Sequence, residues 1–178
     1  PQTLLVVDVG ASAIDLAVVE VGPAGVEVLS SIGSDGVGGE EVDEALVDWM
    51  LAEFHARTEV DLARDQVVRA RMRDAAGKAM RQLSEQERCE IHLAHLWADA
   101  GGPMHLDLQL DRATFERNCV NLIDRCIAWI DPVLDRAGKR KEDIDQLVIV
   151  GGAGRIPVLE DTNDIGFVAT RVGDGGDV

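Results

Sequence analysis

The sequence has little aromatic and little basic character. None of its 178 residues is tyrosine, and the aromatic types together make up 3%. Stacking platforms for nucleic-acid bases or sugar rings are therefore not expected. Lysine and arginine number 17 against 33 aspartate and glutamate residues, which gives a formal net charge of −16 at pH 7. This negative charge disfavours binding to nucleic acids and to anionic membranes.

Long apolar runs and a cysteine framework are also missing. No apolar run approaches the roughly 20 residues that a membrane-spanning helix needs, and no basic-then-apolar leader precedes the first predicted strand. The 3 cysteines are odd in number and lack the spacing of a metal site, which fits a reducing compartment. Apolar residues nevertheless make up 46% of the chain. We therefore expect an acidic, cytoplasmic globular protein with no membrane insertion and no nucleic-acid partner.

The first part of the chain predicts a small antiparallel sheet. Apolar, β-branched segments cover residues 4–10, 14–20 and 26–32, and only short turns separate them. Strands joined in this way pair as antiparallel neighbours. A glycine-rich loop over residues 33–39 follows, and from Glu40 onward apolar residues recur at helical spacing. The sequence therefore predicts a three-stranded meander followed by a helix.

The rest of the chain predicts two more helices, a hairpin and one more strand. We expect Asp111 to cap the last helix, and Pro132 to kink or split it. The hairpin is indicated by alternation of polar and apolar residues at period two. In chain order these elements cover about residues 62–83 (helix), 89–96 and 104–110 (hairpin), 112–137 (helix) and 147–150 (strand).

Two carboxylates flank a tight turn of small residues between the first two predicted strands. Asp8 ends one strand, Asp15 begins the next, and residues 10–13 lie between them. Small residues let backbone N–H groups approach a phosphate, and the paired carboxylates suit a hydrated Mg²⁺. An ordinary hairpin turn, in which aspartate supplies turn hydrogen bonds, has the same pattern. On these residues alone both interpretations stay open.

Two glycine pairs stand beside predicted secondary structure. Gly38-Gly39 precede a helix, where backbone N–H groups form an anion site, although an ordinary loop has the same composition. Gly151-Gly152 follow a buried strand; glycines there permit close approach of a flat ligand, and Arg155 can stack on an adenine ring. A flexible strand-to-helix turn accounts for the same residues, and the full dinucleotide-binding pattern is absent.

Taken together, in this order and spacing, the motifs resemble the nucleotide-binding domain of the DnaK-type heat-shock chaperones, within the actin, sugar-kinase and heat-shock ATPase superfamily. That family's second phosphate loop, Asp-Leu-Gly-Gly-Gly-Thr-Phe-Asp, is similar to residues 8–15, and its Gly-Gly-Glu-Asp-Phe-Asp to residues 38–43. Its Val-Gly-Gly-Ser-Thr-Arg-Ile-Pro is similar to residues 150–157, and its adenosine-side helix to residues 71–84. The resemblance covers about residues 3–160 and points to the second lobe of that domain.

The resemblance implies an α/β fold, namely an RNase-H-like (actin-like ATPase) lobe with an inserted α/β subdomain. Residues 1–37 and 111–162 would form the lower subdomain of the second lobe. Residues 38–110 would form the insertion, which is the upper subdomain. Residues 163–178 would be a disordered tail, since they are glycine-rich and lack periodicity.

The resemblance also implies a site for ATP or ADP with Mg²⁺. Asp8 and Asp15 would lie near the metal ion and the attacking water. Backbone N–H groups of the turn and of the glycine pair would face phosphates, and residues of two other motifs would line the adenosine pocket. The phosphate-side residues are Gly10, Ala11, Ser12, Ala13 and Gly39, and the adenosine-side residues are Arg81, Ser84, Gly151, Gly152, Arg155 and Ile156.

Several features depart from the family pattern. Ala11, Ser12 and Ala13 stand where the family has Gly, Gly and Thr, which adds bulk to the phosphate loop and removes a hydroxyl near the terminal phosphate. The family's first lobe, with its catalytic Lys and Glu, has no counterpart in this sequence. Phosphoryl transfer depends mostly on positioning and charge stabilisation. We therefore expect no catalytic residue and no efficient ATPase activity from this chain alone.

Two functions follow from the resemblance, and both stay open here. One is an ATP/ADP-binding lobe of a heat-shock-chaperone-like protein, completed by a first lobe in the parent chain. Such a lobe would have co-chaperones or nucleotide-exchange-type proteins as partners. The other is a degenerate lobe that no longer binds nucleotide and serves as a protein-interaction scaffold. The altered phosphate loop favours the second, and the retained Asp8, Asp15, Gly152 and Arg155 favour the first.

Other chemistry-bearing side chains are expected to be structural. Cys89, His92 and His95 are not expected to bind metal, because two histidines three positions apart on a regular strand face opposite sides. Cys119 and Cys126 are expected to be core thiols, since they lie about 10 Å apart along a helix, beyond disulfide reach. The arginine-rich helix from Arg69 to Arg81 either faces a nucleotide or pairs with the acidic helix before it; both stay open.

Overall fold

The computed structural model describes residues 1–152 and 169–171, which fall into two compact units. Unit 1 contains residues 1–41, 120–152 and 169–171, and unit 2 contains residues 42–119. Within the described ranges, no helix is both long enough and apolar enough to cross a membrane.

The secondary structure follows the predicted order of strands and helices. A short 3₁₀ turn over Lys141–Asp143 is the one addition among the described helices. In chain order the elements are β1 (Gln2–Val9), β2 (Ala13–Gly22), β3 (Gly25–Asp35), α1 (Gly39–Thr58), α2 (Gln66–Leu83), β4 (Arg88–Asp99), β5 (Gly102–Asp111), α3 (Arg112–Ala137), β6 (Gln146–Val150) and β7 (Ala169–Arg171).

A 5-stranded mixed sheet forms the centre of unit 1, in the order β3-β2-β1-β6-β7. β1, β2 and β3 pair antiparallel, which confirms the predicted meander. β6 runs parallel to β1, and β7 runs parallel to β6. In the sequence, β6 follows unit 2 and α3. A long crossover therefore connects the antiparallel meander to its parallel neighbour β6.

The two faces of this sheet differ because side chains alternate along each strand. One face is apolar and buried, and α3 lies over it, since the Ser30 hydroxyl on that side donates to the Val133 carbonyl of α3 at 2.6 Å. The opposite face carries Asp8 and Asp15 at one end. The buried face consists of Leu5, Val7, Val9, Ile14, Leu16, Val18, Leu147 and Ile149.

Unit 2 packs α1, α2 and the start of α3 together with one face of the β4–β5 hairpin. Its helices contribute apolar side chains at helical spacing, and its hairpin contributes every second residue. Leu46, Met50 and Phe54 of α1 have 1% exposure or less. The remaining buried apolar side chains include Met72, Ala76, Leu83, Ile91, Leu106, Leu110 and Phe115.

Two predicted helix boundaries can be compared with the structure. α2 begins at Gln66 instead of residue 62, because Asp65 accepts hydrogen bonds from the Val67 and Val68 N–H groups and so caps it. The predicted cap of α3 is confirmed: the Thr114 N–H donates to Asp111 at 2.8 Å. This hydrogen bond also lowers the pKa of the Asp111 carboxyl.

Of the two predicted effects of Pro132, a kink or a split, the split is wrong, because α3 is continuous through this residue. A proline inside a helix removes one backbone hydrogen bond. Pro132 is exposed, whereas Ile130 and Val133 on either side of it are buried. Packing of these neighbours offsets the lost hydrogen bond and keeps one helix.

The predicted disordered tail is also partly corrected. Ala169–Arg171 form β7 and pair with β6. Pairing satisfies backbone groups that β6 would otherwise leave open on that side. The other residues of the predicted tail, 163–168 and 172–178, lie outside the described residues.

All three cysteines are free and buried, which confirms Cys119 and Cys126 as core thiols. Burial raises the pKa of Cys119 to about 12 and that of Cys126 to about 11. Burial raises the pKa of Cys89 as well. Since the thiolate is the reactive form, these side chains should be chemically inert in the folded state.

We predict that Ellman's reagent at pH 8 labels none of the three cysteines of the native protein on the timescale of free cysteine. All three should react after unfolding in urea, because the raised pKa values depend on burial. The absorbance change with and without urea measures this. Rapid native labelling of Cys119 or Cys126, located by mass spectrometry, would contradict the prediction.

We also predict that Asp65→Ala lowers the free energy of unfolding by about 1 kcal/mol, because it removes the side-chain acceptor for two N–H groups of α2. Asp65→Asn keeps an acceptor oxygen and should unfold within a few tenths of a kcal/mol of the parent protein. Urea unfolding curves of the three proteins measure the difference. Equal midpoints for Asp65→Ala and Asp65→Asn would show that the cap contributes nothing.

Candidate functional site

The candidate site lies in unit 1, where β1 turns into β2. Asp8 and Asp15 are direct partners in the antiparallel register, so both side chains project from the same face of the sheet. Both are exposed. Directly opposed Cβ atoms on such strands lie about 4.5–5.5 Å apart, and like charges there repel each other. Carboxylate oxygens are the ligands that Mg²⁺ prefers, together with several waters, so this pair fits that ion.

Gly151 stands against the first of these carboxylates. It follows β6, which lies beside β1, and its φ of +89° favours glycine. A Cβ at this position would lie 2.5 Å from Oδ1 of Asp8 and closer still to the Val9 carbonyl oxygen. Only a glycine therefore leaves room for the Asp8 carboxylate at the end of the sheet. The structure thus places Gly151, which the resemblance assigns to the adenosine side, beside Asp8, and places Asp8 opposite Asp15.

Residues 10–13, which we call the turn loop, close the β1–β2 connection. The Gly10 N–H donates to the Ala13 carbonyl at 2.9 Å, which makes the turn tight. Ala11 and Ser12 are exposed at its tip. The turn loop therefore presents its two central residues to solvent, on the end of the sheet that carries the carboxylate pair.

Residues 36–40, which we call the glycine loop, are bound to the turn loop by backbone hydrogen bonds. Gly38 makes this approach possible: a Cβ there would lie 2.6 Å from the Ala11 carbonyl oxygen and 2.7 Å from that of Gly10. The hydrogen bonds run from the Gly36 N–H to the Ser12 carbonyl (2.8 Å), from the Gly39 N–H to the Gly10 carbonyl (3.0 Å) and from the Glu40 N–H to the Ala11 carbonyl (2.8 Å).

This arrangement differs from the one that the resemblance implies for two backbone groups. The N–H groups of Gly10 and Gly39 were expected to face phosphates, but each donates to a carbonyl inside the protein. A phosphate that used them would have to replace these partners. For Gly39 the physical reason is the close approach of the two loops, which Gly38 permits; for Gly10 it is the tightness of the turn itself.

The last two residues of the glycine loop are the first two of α1, and an ion pair holds this first turn of the helix. The two terminal guanidinium nitrogens of Arg125 donate to the two carboxylate oxygens of Glu41, at 3.0 and 2.6 Å. Sequence analysis did not single out Arg125, because 84 positions separate the two residues and no local pattern links them. The acidic residue in the glycine motif was the only available signal.

The predicted adenosine-side residues are distributed over both units. Arg81 and Ser84 belong to unit 2, at the end of α2, where Ser84 caps the helix and its hydroxyl donates to the Arg81 carbonyl at 2.7 Å. Arg81 is exposed and lines a shallow depression of about 280 Å³. Gly152 is exposed in unit 1. Arg155 and Ile156 lie outside the described residues.

The contacts of the arginine-rich helix α2 bear on whether it faces a nucleotide or pairs with the acidic helix before it. Arg69 and Arg73 both pair with Glu44 of α1, and Arg69 also contacts Asp48 at 3.2 Å. The hydrogen bond from Arg73, followed by that from Arg69, lowers the pKa of Glu44. For these two arginines the structure therefore supports pairing with the acidic helix. Arg71 instead donates to carbonyls of β4.

The histidines of β4 show an irregularity that period-two reasoning missed. His92 contacts Asp107, and the ring of His95 packs 4.9 Å from the ring of His105, two positions away on β5. Both histidines therefore lie on the same face, not on opposite faces. A register shift between Leu93 and Trp97, with a φ of +51° at His95, causes this. The described residues contain no group of three or more potential metal ligands.

We predict that Gly38→Ala destabilises the protein by about 1–3 kcal/mol, because the added methyl group would overlap two backbone carbonyls and force the loops apart. Gly22→Ala is the matched control. Its Cβ would lie 3.6 Å from the nearest atom, an ordinary contact, so its stability should be unchanged within about 0.5 kcal/mol. Urea unfolding of both variants tests this, and equal midpoints would mean that the loops do not dock as described.

Comparison with known proteins identifies the family to which this chain is similar. The family model described as Hsp70 protein matches residues 1–166. The chaperone protein dnaK of Cyanophora paradoxa is 41% identical over 160 residues, covering 90% of this chain and 26% of that protein. The dnaK proteins of Trieres chinensis and Phaeodactylum tricornutum are 39% and 38% identical over 159 residues, each covering 89% of this chain and 26% of the relative.

The chain thus spans about a quarter of the length of the curated relatives it matches. The family match extends over most of the sequence, and the mixed sheet with its long crossover agrees with the α/β class expected for an actin-like ATPase lobe. Both the predicted resemblance and the predicted fold class are therefore confirmed: the chain belongs to the Hsp70 family and corresponds to part of a DnaK-type nucleotide-binding domain.

Proposed function

We propose that this chain is the second lobe of a DnaK-like nucleotide-binding domain and that it binds ATP or ADP together with Mg²⁺. The observation that carries the proposal is the opposed pair Asp8 and Asp15 at the end of β1 and β2. The exposed tip of the turn loop lies between these carboxylates in sequence, and Gly151 makes room beside Asp8. Two acids next to accessible backbone suit a phosphate-bound divalent cation.

Each part of the site has a distinct role in this proposal. Asp8 and Asp15 hold waters and oxygens of a hydrated Mg²⁺, which when bound offsets the negative charge of the phosphates. The N–H groups at Ala11 and Ser12 lie at the exposed tip, where phosphate oxygens can reach them. On the adenosine side we assign Arg81 and Ser84, and with them Gly152, Arg155 and Ile156.

The proposal extends to the organisation of the whole domain. Residues 1–37 and 111–162 form the lower subdomain, and residues 38–110 form the inserted upper subdomain. A first lobe supplies the remaining catalytic groups, so hydrolysis requires that lobe and this chain alone is not an ATPase. The partners are a first lobe in the parent chain and, for the complete chaperone, co-chaperones and nucleotide-exchange-type proteins. We place this function in the cytoplasm.

A second function is favoured by a specific observation. The N–H groups of Gly10 and Gly39 are already used inside the protein, and Ala11 and Ala13 stand where the family has Gly and Thr. These features fit a lobe that has lost nucleotide binding and serves as a protein-interaction scaffold. The first function remains the better supported one, because a scaffold has no need for two opposed carboxylates whose charges repel.

We predict saturable binding of ADP and ATP by the purified chain in isothermal titration, with higher affinity when Mg²⁺ is present. Asp8→Asn and Asp15→Asn should each remove most of the Mg²⁺-dependent gain, a loss of about tenfold or more, and should leave Mg²⁺-free binding nearly unchanged. Asp124→Asn changes an exposed carboxylate of α3 in the same unit, and it should behave like the parent protein.

The outcomes separate the two functions. Identical Mg²⁺ dependence in Asp8→Asn, Asp15→Asn and the parent chain would remove these residues from the metal site. No heat at millimolar nucleotide would exclude a self-sufficient binding lobe. The same titration on the chain joined to a first lobe then decides between a lobe that needs its mate, which binds there, and a scaffold, which does not.

A further inference from the structure

The ion pair between Arg125 and Glu41 is bidentate and links two distant parts of unit 1. The Nη1 of Arg125 lies 3.0 Å from Oε2 of Glu41, and its Nη2 lies 2.6 Å from Oε1. Two parallel N–H···O bonds between a planar guanidinium and a carboxylate fix direction as well as distance. The side chains are 42% and 32% exposed, so solvent screens the pair only in part.

One partner of this pair is fixed to the sheet. Arg125 lies on α3 between Leu122 and Cys126, which are 1% and 4% exposed. These side chains and the hydrogen bond between Ser30 and the Val133 carbonyl hold α3 over the sheet of unit 1. The guanidinium group of Arg125 therefore extends from a helix that is packed firmly on the sheet.

The other partner belongs to a run of residues that contact the turn loop through their backbone. The N–H groups of Gly39 and Glu40 donate to the carbonyls of Gly10 and Ala11. The next residue, Glu41, donates its own N–H to the Gly38 carbonyl at 3.1 Å and its carboxylate accepts from Arg125. Fixing the carboxylate of Glu41 thus fixes the backbone immediately before it.

We propose that Arg125 is a positioning residue for the candidate nucleotide site: through Glu41 it fixes the first turn of α1 and thereby holds the Gly39 and Glu40 N–H groups on the turn loop. Its effect on nucleotide binding rests on the proposed function. The positioning itself does not, since it concerns only contacts within unit 1.

If Arg125 acted on Glu41 through its positive charge alone, the direction of its hydrogen bonds would not matter. A glutamate in the first turn of a helix is stabilised by the helix dipole whatever its direction, and any nearby cation would add to that. The fork of Arg125 adds a defined direction, which a lysine cannot reproduce because its ammonium is a single point charge. Arg125→Lys therefore separates charge from geometry.

The test is amide hydrogen exchange by NMR on the parent chain, Arg125→Gln, Glu41→Gln, the double variant and Arg125→Lys. We expect the Gly39 and Glu40 amides to exchange about tenfold faster in each single glutamine variant, because local opening becomes easier. The double variant should be no faster than either single one, which is the signature of one shared interaction. Arg125→Lys should fall between Arg125→Gln and the parent chain.

Lys139→Gln is the matched control. Lys139 follows α3 and contacts Glu20 of β2 at 3.4 Å, and its side chain is 26% exposed. Removing this cation leaves the glycine loop untouched, so Gly39 and Glu40 should exchange as in the parent chain. The amides of Leu5 and Ile149, within the sheet, should keep their protection in every variant.

Two results overturn the proposal. One is unchanged exchange at Gly39 and Glu40 in Arg125→Gln. The other is an equal acceleration at Leu5, which would mean that the ion pair stabilises the whole unit and positions nothing in particular. Full protection of Gly39 and Glu40 in Arg125→Lys would likewise overturn the role assigned to the fork geometry.

Nucleotide titration distinguishes this inference from the proposed function. If the parent chain binds ADP with Mg²⁺, Arg125→Gln should weaken binding by about fivefold, and Lys139→Gln should not. Binding that is unaffected by Arg125→Gln overturns the link to nucleotide while the proposed function stands. If the parent chain binds no nucleotide, the proposed function fails for this chain, and the exchange measurements still decide whether Arg125 positions the loops.

Discussion

The close approach of the glycine loop to the turn loop is the constraint on which the rest of the site depends. The hydrogen bonds between them leave no space for a side chain at Gly38. These hydrogen bonds determine where α1 begins. They also determine which backbone groups of the turn loop remain accessible to a ligand. The carboxylate pair is set by the register of β1 and β2, but the surroundings of that pair are set by this backbone contact. Alanine in place of Gly38 would therefore disturb both the start of α1 and the turn loop.

Sequence patterns predicted the elements of the fold well because most of them bury one face in the core of their own unit. The meander follows from apolar, β-branched runs joined by short turns, the hairpin from alternation at period two and the helices from apolar residues at helical spacing. The failures have local physical causes. Pro132 does not break α3 because buried neighbours hold the helix, and His95 leaves the strand pattern because a register shift interrupts it. Neither cause is visible in a single pattern of polar and apolar residues.

The residues of the candidate site could be predicted where their motifs resemble those of a known family, and not where pairing across the fold decides which groups meet. Asp8, Asp15 and Gly151 were predicted because a resemblance links their motifs; the structure shows Asp8 opposite Asp15 and Gly151 beside Asp8. The use of the Gly10 and Gly39 N–H groups could not be assigned, because glycine permits internal and external partners equally. The pairing of Arg125 with Glu41 depends on tertiary structure alone.

The same hydrogen bonds present a physical problem for ligand binding. Taking the Gly39 N–H from the Gly10 carbonyl would leave a backbone acceptor without its partner, which costs free energy unless a new donor replaces it. A phosphate cannot be that donor, because its oxygens only accept. Water or a small movement of the loops must then satisfy the carbonyl, or the phosphate must bind at the exposed tip alone. Since the tip offers fewer donors than the whole loop, the nucleotide binding that we propose would depend on a bound cation and on groups supplied by another part of the protein.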